Sequence, residues 1–261
     1  MNLNLEGKRA VVCGSTQGIG KAIAVELALL GAGVTLIARN QSKLEAVVRE
    51  LQTKANQHHD FLVADFSEPA HVEEAIDRYA KINPVHILVN NTGGPPAGLA
   101  IDASIEEYLE AFKSHLICNQ ILVQAVLPQM KQAGYGRIIN IISTSVKAPI
   151  KGLGVSNTIR GAVANWAKTL SVELGAFGIT VNNVLPGATM TQRLKSMLQE
   201  KADQTGKSFE ELMQEMISEI PAGRISEPDE VAAAVAFLAS PAAGYINGIN
   251  VPVDGGRTKS L

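Results

Sequence analysis

The sequence predicts an α/β fold, in which helices cover both faces of a doubly wound parallel sheet and form three layers, α/β/α. Three observations predict this fold. Short apolar segments alternate with helical patterns along the chain, most of these segments are apolar throughout, and a glycine-rich turn follows the first one directly. Segments that are apolar throughout are typical of parallel strands buried on both faces. Their alternation with helices gives βαβ units, whose right-handed crossovers place helices on both sides of the sheet.

The strands are identified by their length and composition. Runs of about 4–8 apolar residues between turn residues are typical of buried strands. In chain order, such runs cover residues 9–13, 34–38, 61–64, 85–89, 137–142, 180–184 and 250–253.

The helices are identified by the helical spacing of apolar residues between these strands. They cover residues 18–30, 42–55, 69–80, 105–131, 156–175, 191–219 and 228–238. The sequence contains no linker, repeat or low-complexity segment, so we predict a single domain over residues 1–261. Residues 190–220 are interpreted as a helical flap, either a lid over a substrate pocket or a surface helix packed on the body.

Composition and charge narrow the class of partner. The chain has 23 Lys and Arg against 25 Asp and Glu, a formal net charge of −2. This balance lacks the basic excess of nucleic-acid-binding proteins and the polybasic surface that binds anionic membranes. With 46% hydrophobic and 18% charged residues, the chain is also neither disordered nor fibrous. We expect a small molecule as its partner.

The compartment is predicted from the cysteines and the apolar segments. Cys13 and Cys118 are too few for a disulfide framework, and Cys13 lies in an apolar run as a predicted buried free thiol. The first ten residues include Glu6 and have no long apolar stretch, which predicts no secretory signal. Residues 231–253 are uncharged but contain Pro241 and several Gly and Asn residues, which disfavour a membrane span. A cytoplasmic location is expected.

Neither a metal site nor hydrolase chemistry is predicted. The five histidines form no H-x-x-x-H pair and join no cysteine cluster. No G-x-S-x-G motif surrounds any serine near the predicted site.

The glycine-rich turn predicts a dinucleotide site. It connects the first strand to a helix and consists of Gly14, Ser15, Thr16, Gln17, Gly18, Ile19 and Gly20. Glycine allows the backbone to approach a pyrophosphate, and the free N–H groups at a helix start face such an anion. The spacing is G-x-x-x-G-x-G, and its position inside a βαβ unit supports binding more than the glycines alone.

The end of the second strand predicts which dinucleotide binds. An acidic residue there would bond the ribose 2′-hydroxyl and repel a 2′-phosphate. This chain has Arg39 instead, which can form a charge-assisted contact with a 2′-phosphate. NADP(H) is therefore favoured over NAD(H). Asp65, after the third strand, is placed to accept from the adenine amino group, or else is an ordinary acid at a helix start.

Together, four segments resemble the short-chain dehydrogenase/reductase family across nearly the whole chain. They are the glycines at 14, 18 and 20, the N-N-T-G segment at 90–93, the P-G-x-x-x-T segment at 186–191 and the V-D-G-G segment at 253–256. The resemblance implies a Rossmann fold. It also implies cofactor contacts from Asn91, Gly93, Arg160, Pro186, Gly187, Thr189 and Thr191.

The catalytic positions depart from that family. Its chemistry uses an asparagine, a serine and a Y-x-x-x-K pair, and the corresponding residues here are His115, Ser143, Ser156 and Arg160. Only Ser143 is kept. A serine hydroxyl is a poor proton donor near neutral pH, and Arg160 stays charged, so it can anchor ribose or stabilise an oxyanion without relaying a proton. His115 either feeds a proton relay or is a packed side chain.

This pattern resembles a divergent subgroup that is similar to 3-oxoacyl-carrier-protein reductases and shares a Ser-Asn pair and an arginine here. The resemblance also implies a homo-tetramer or homo-dimer formed through the helices at 105–131 and 156–175. One hypothesis is an NADP(H)-dependent oxidoreductase on a carbonyl or alcohol, with its proton from water held by Ser143 and Ser156, from His115, or from the substrate. The alternatives are a non-catalytic NADP(H) sensor or scaffold, and dehydration or isomerisation on the same fold.

Overall fold

A parallel sheet forms the centre of the computed structural model, which describes residues 1–53 and 55–260. Seven strands lie within these residues, in the order β3-β2-β1-β4-β5-β6-β7, and every neighbouring pair is parallel. The strands are β1 Arg9–Cys13, β2 Gly33–Ala38, β3 Asp60–Val63, β4 Ile87–Asn90, β5 Gly136–Ile141, β6 Ile179–Pro186 and β7 Asn250–Val253. This order confirms the predicted doubly wound sheet.

Helices cover both faces of this sheet. In the described part of the chain they are α1 Gly18–Leu29, α2 Gln41–Glu50, α3 Pro69–Ala80, α4 Ile105–Phe112, α5 Cys118–Ala133, α6 Gly154–Leu174, α7 Gln192–Thr205, α8 Phe209–Ser218 and α9 Pro228–Ala239. None of the described helices is long and apolar enough to cross a bilayer.

Two apolar cores separate the sheet from these helices. On β2, Leu36 packs into the core that contains Leu27 of α1, whereas the next residue, Ile37, packs into the core that contains Leu122 of α5. Successive strand residues point to opposite faces, so an apolar strand supplies both cores. Each fully buried Leu or Ile contributes about 1.5–3 kcal/mol to folding. The three-layer α/β/α arrangement is thereby confirmed.

The order in which the strands are added along the chain reverses beside β1. Strands β2 and β3 lie on one side of it, and β4 to β7 lie on the other. In an open parallel sheet, such a switch point leaves a crevice at the carboxyl ends of the strands, because the flanking loops diverge there.

A row of asparagines, three of them buried and Asn250 partly buried, aligns four strands below this crevice. Asn90 donates to Asn140 at 2.8 Å, Asn140 donates to Asn183 at 2.9 Å, and Asn183 donates to Asn250 at 2.8 Å. These residues are also direct partners in the register of β4 to β7. Each amide would be costly to bury without a partner, so the row favours this one register.

Three predicted helices differ from the observed ones by more than one or two residues at an end. The helix predicted over 42–55 ends at Glu50, because Leu51 takes an extended conformation with ψ 142°. Lys54 lies outside the described residues.

The helix predicted over 105–131 is not uniform. Lys113–Ile117 forms a π-helical turn between α4 and α5, and helix continues to Ala133, where Gly134 takes a left-handed conformation. The extra residue in a π turn changes the direction of the side chains that follow. His115 lies in this turn and is buried.

The helical segment predicted over 191–219 is two helices. Gly206, with φ +70°, ends α7, and Ser208 begins α8 through a capping box with Glu211. Leu198 of α7 and Leu212 of α8 pack in one small cluster. The role of this pair as a substrate flap, and the single domain over 1–261, stay predictions.

Candidate active site

A cavity of about 640 Å³ lies at the carboxyl ends of the strands, beside the switch point. Its volume is within the range of about 300–1,000 Å³ that is usual for ligand pockets. It brings together most of the predicted site residues: Gly14, Thr16, Gln17, Gly18, Ile19, Gly20, Arg39, Asp65, Asn91, Gly93, Ser143, Ser156, Arg160, Pro186, Gly187, Thr189 and Thr191. Ser15 and His115 are buried and are not among the lining residues.

Close backbone contacts determine the conformation of the glycine-rich turn. Gly14 has φ +58°, and a Cβ at this position would lie 2.4 Å from the carbonyl oxygen of Asn91. A Cβ at Gly20 would lie 2.2 Å from the carbonyl oxygen of Gly14. The Asn91 side chain donates to the carbonyl oxygens of Cys13 and Gly14, each at 3.2 Å. Glycine is therefore required at both positions, and Asn91 connects the turn to the end of β4.

The start of α1 has free hydrogen-bonding capacity. Its N-cap residue, Gln17, makes no side-chain capping bond, and the first turn of α1 contains no acidic residue. The Ser15 hydroxyl in the same turn is fully buried and has no hydrogen-bond partner among the described residues. Helix N–H groups without a cap favour an anion at this end of the cavity.

Arg39 and Asp65 line the part of the cavity next to the ends of β2 and β3. Arg39 is exposed, and no carboxylate of the described residues forms an ion pair with it. Asp65 accepts from the backbone N–H of Ser67 at 3.0 Å and from its hydroxyl at 2.9 Å. These bonds lower the pKa of Asp65, with a smaller contribution from the positive charge of Arg39. Asp65 is therefore ionised at neutral pH.

The part of the cavity beside β5 and β6 contains three residues at the predicted catalytic positions, Ser143, Ser156 and Arg160. Ser143 follows β5, and its Oγ accepts from the backbone N–H of Ser145 at 3.1 Å. Ser156 and Arg160 both lie on α6, four residues apart, so they face the cavity from the same side of the helix. The Ser145 hydroxyl is buried and has no partner in the described part of the chain.

Arg160 is a buried cation. It is 8% exposed, and its Nη1 donates to the carbonyl oxygen of Ile141 at 2.8 Å. Burial, together with the smaller effect of the nearby charge of Arg193, lowers the pKa of Arg160 to about 10. Arg160 nevertheless remains charged at neutral pH, so it can hold an anion or a developing alkoxide.

His115 lies next to the cavity wall. Its Nδ1 is 2.6 Å from Oγ1 of Thr92, which lines the cavity. Burial lowers the pKa of His115 to about 2, and the charges of Arg160 and Arg193 act in the same direction. The ring is neutral at pH 7 and therefore orients the Thr92 hydroxyl. Its predicted part in a proton relay stays a prediction.

Sequence reasoning did not identify Arg193. Thr191 caps α7 by accepting from the backbone N–H of Leu194 at 3.3 Å, which places Arg193 in the first turn. Its guanidinium donates to the carbonyl oxygens of Gly94 at 2.8 Å and Pro95 at 2.9 Å. These partners are about a hundred positions away in sequence, so no local motif could have revealed the contact.

Asn157 acts in support of the site. Its side chain donates to the carbonyl oxygen of Ile150 at 2.9 Å and accepts from the same residue's N–H at 3.4 Å. It therefore fastens the loop before α6 to the start of that helix. Ile150 and Leu153 in this loop line the cavity.

The chemistry available to the cavity follows from its lining. Among the described residues that line it there is no Tyr, Lys, His, Cys or Glu, and its charged members are Arg39, Asp65, Arg160, Arg193 and Arg257. No group of three or more His, Cys, Asp or Glu in the described residues is arranged to hold a metal ion. The cavity is suited to bind anions and to stabilise negative charge, and its hydroxyl groups are weak acids.

Comparison with known proteins identifies the family. The family model described as Enoyl-(Acyl carrier protein) reductase matches residues 14–258. The 3-oxoacyl-[acyl-carrier-protein] reductase FabG of Haemophilus influenzae is 34% identical over 253 residues, 97% of this chain and 98% of the relative. The 7alpha-hydroxysteroid dehydrogenase of Escherichia coli K12 is 31% identical over 262 residues, 100% of this chain and 98% of the relative.

A solved structure agrees with these relatives. L-sorbose reductase of Gluconobacter frateurii, complexed with NADPH and L-sorbose, superposes with a TM-score of 0.93 at 29% identity and full coverage, 100% of each chain. The sheet order, the glycine-rich turn at the switch point and these similarities lead to one conclusion. The chain belongs to the short-chain dehydrogenase/reductase family, a family of oxidoreductases.

Proposed function

We propose that this protein is an NADP(H)-dependent oxidoreductase that interconverts a carbonyl compound and an alcohol. The observation that carries the proposal is the start of α1, which lines the cavity, has glycines required by close contacts and has no side-chain cap on its N–H groups. A dinucleotide places its pyrophosphate at such a position. When bound there, the nicotinamide supplies a hydride to a carbonyl carbon.

The residues present fit this cofactor. The turn at 14–20 would hold the pyrophosphate, and the partnerless Ser15 hydroxyl lies within that turn. The other expected contacts are Arg39 with the 2′-phosphate, Asp65 with adenine, Asn91 and Gly93 beside the nicotinamide ribose, Arg160 with that ribose, and Pro186, Gly187, Thr189 and Thr191 around the nicotinamide. The residues named for these other contacts all line the cavity.

Preference for NADP(H) over NAD(H) follows from Arg39. This cation stands at the end of β2, where an acid would repel a 2′-phosphate, and it has no ion-pair partner among the described residues. Two of the similar solved structures, L-sorbose reductase and the actinorhodin polyketide ketoreductase, contain NADPH. Their cofactor supports the same assignment here.

An altered catalytic set would complete the reduction. The hydroxyls of Ser143 and Ser156 would hold the substrate oxygen and a water molecule, and Arg160 would stabilise negative charge on that oxygen. The proton would pass from this water to the oxygen, and the hydroxide would leave to bulk solvent. The neutral His115 would keep Thr92 in place rather than donate the proton itself.

The second candidate is a non-catalytic protein that binds NADP(H) as a sensor or scaffold. The favouring observation is that none of the described residues lining the cavity is of a type that titrates near neutral pH. On this hypothesis, binding of NADP(H) changes the assembly or a partner's affinity, and no carbonyl compound is turned over.

Titration with NADPH and NADH, followed by a reduction assay, distinguishes the candidates. We expect tighter binding of NADPH, then oxidation of NADPH by some members of a panel of ketones and 3-oxoacyl thioesters. Binding without turnover by any member, together with an NADPH-dependent change in sedimentation, would favour the sensor. Absence of binding by either nucleotide would contradict both candidates.

Assembly and location complete the proposal. Leu109, Phe112 and Ile117 are exposed on α4 and the π turn, and Val172 is exposed on α6. We expect these two faces to pair in a homo-dimer or homo-tetramer, which sedimentation can measure. A cytoplasmic location agrees with the buried free thiols of Cys13 and Cys118, because reducing compartments preserve such thiols.

A further inference from the structure

Two guanidinium groups converge on one backbone segment of the cavity. A Cβ added at Gly94 would lie 3.0 Å from Nη2 of Arg193 and 3.6 Å from Nη2 of Arg160. Arg193 reaches this point from α7, and Arg160 reaches it from α6. Two cations from different helices therefore meet at the part of the cavity that also holds Ser143 and Ser156.

Neither of these two cations forms an ion pair among the described residues, although the charge of Glu200 acts on Arg193 and partly offsets the lowering of its pKa by burial. By contrast, Arg257 is paired with Glu219 and Arg224 with Glu230. Burial and the mutual repulsion of the pair lower the pKa of Arg160, and His115 beside them is neutral. Arg160 is a buried charge without a counter-ion, which is costly, whereas Arg193 is exposed. An anion held by Arg193 beside Arg160 would offset that buried charge.

The phosphates of the cofactor do not account for this positive charge. The expected phosphate contacts are the uncapped start of α1, which follows β1, and Arg39, which follows β2. These two strands lie on the other side of the switch point from β5 and β6. The anion that Arg193 would bind beside Arg160 is therefore part of the substrate. Planar guanidinium groups match a carboxylate through two parallel N–H···O bonds.

We propose that Arg193 binds a carboxylate of the substrate and that the neighbouring charge of Arg160 favours the same anion, so that the protein acts on oxo acids and hydroxy acids rather than on neutral ketones. This inference rests on the proposed oxidoreductase function and names its substrate class. Arg193 is a specificity-determining residue: it holds the carboxylate while Ser143 and Ser156 face the reacting carbonyl.

Binding of matched acids and esters to the protein saturated with NADP⁺ tests the proposal, because no turnover of a ketone can occur in that complex. The probes are 2-oxobutanoate, acetoacetate and 4-oxopentanoate, which place the carbonyl at successive distances from the carboxylate, together with their methyl esters and inorganic phosphate. Calorimetry should show at least one acid bound about tenfold or more tighter than its ester, as expected for a charge-assisted pair. Equal binding of every acid and its ester would overturn the proposal, and so would a preference for inorganic phosphate over all the acids.

Two variants locate the effect. Arg193→Met should abolish the preference for the acid and leave NADP⁺ affinity within about twofold, whereas Arg193→Lys should retain part of the preference. Arg224→Met is the matched control, because Arg224 is paired with Glu230 and does not line the cavity. If Arg193→Met weakens NADP⁺ binding and leaves the acid preference intact, Arg193 is a cofactor residue and the proposal is wrong.

The same titrations without nucleotide separate this inference from the proposed function. If neither NADP⁺ nor NADPH binds, the oxidoreductase proposal fails. Preference for an acid over its ester, lost in Arg193→Met but not in Arg193→Lys, would then still support the carboxylate site. Its absence would overturn that site as well. Circular dichroism of each variant establishes that a loss of binding is not a loss of folding.

Discussion

The glycine-rich turn at 14–20 and the segment at 143–160 lie at the same edge of the sheet, but different forces hold them in place. The turn is determined by sterics, because a Cβ at Gly14 or Gly20 would lie within 2.4 Å of a backbone oxygen. The second segment is determined by polar contacts, such as those of Asn157 with Ile150 and of Arg160 with Ile141.

This difference agrees with the prediction that the first region matches the family pattern and the second departs from it. A steric requirement for glycine accepts no other side chain, so a turn that binds pyrophosphate must keep its residues. Polar side chains on α6 can be exchanged if the new groups find partners, as Arg160 does with the carbonyl oxygen of Ile141. The turn at 14–20 thus has the glycines that the predicted dinucleotide site needs, whereas Ser156 and Arg160 stand where the resemblance led us to expect a tyrosine and a lysine.

The largest effect is expected from restoring the family's tyrosine and lysine in the second region. The double variant Ser156→Tyr, Arg160→Lys supplies a phenol as proton donor and keeps a cation beside it. A positioned general acid typically contributes about 10²–10⁴-fold, so the rate of NADPH-dependent ketone reduction should rise by about a hundredfold. The control is Ser156→Phe with Arg160→Lys, which has the same size without the hydroxyl. Equal rates for the two double variants would show that proton transfer is not the missing element.

A strong effect is also expected from adding a single methyl group to the first region. In Gly20→Ala the new Cβ would lie 2.2 Å from the carbonyl oxygen of Gly14, so the turn must shift. Overpacking of this kind costs about 1–3 kcal/mol, and NADPH affinity in a fluorescence titration should fall by about tenfold to a hundredfold. Gly161→Ala on α6 is the matched control, because no atom lies within 4 Å of its added Cβ. If Gly20→Ala bound NADPH as tightly as Gly161→Ala, the steric account of the turn would be wrong.

A smaller effect is expected at Arg39, which tests the choice of cofactor. Arg39→Ala should lower NADPH affinity by about tenfold, as for the loss of one charge-assisted contact at an exposed site. NADH affinity should hardly change, because NADH lacks the 2′-phosphate. Arg49→Ala serves for comparison, since Arg49 on α2 is exposed and close to Glu45. An equal loss for both nucleotides would mean that Arg39 contributes general charge and no selectivity.

The last effect concerns the stability of the protein rather than ligand binding or activity at the site, and it is expected from His115. The pKa of His115 is about 2 in the folded protein, below its usual 6.5, so the unfolded chain binds the proton first. The free energy of unfolding should therefore fall as pH drops below about 6.5, by about 1.4 kcal/mol per pH unit from this residue. In His115→Asn, the free energy of unfolding should fall less steeply with decreasing pH, by an amount equivalent to about one proton taken up on unfolding. Urea denaturation at several pH values between 4 and 7 measures this dependence. An unchanged slope would contradict the assignment of a buried neutral ring.

Most of the fold could be predicted from the sequence, because it depends on local patterns. Each apolar strand and each amphipathic helix buries its own side chains, and these patterns identified the sheet, the layers and the glycine-rich turn. The errors were local too: the sequence does not show where Leu51 becomes extended or where Lys113–Ile117 adds a residue to the helical turn. Such endings depend on small energy differences that packing decides.

The glycine-rich turn could be identified from local sequence alone, because the turn, the strand before it and the helix after it are contiguous in the chain. The other contacts around the cavity depend on how the chain folds. The tertiary structure brought Arg193 to Gly94 and Thr92 to His115, and it aligned Asn90 and Asn140 with their partners on neighbouring strands. The physical reason is that the register of the sheet and the approach of separate helices set these contacts. The local sequence around each of these residues contains no pattern that indicates a contact with a residue far away in the chain.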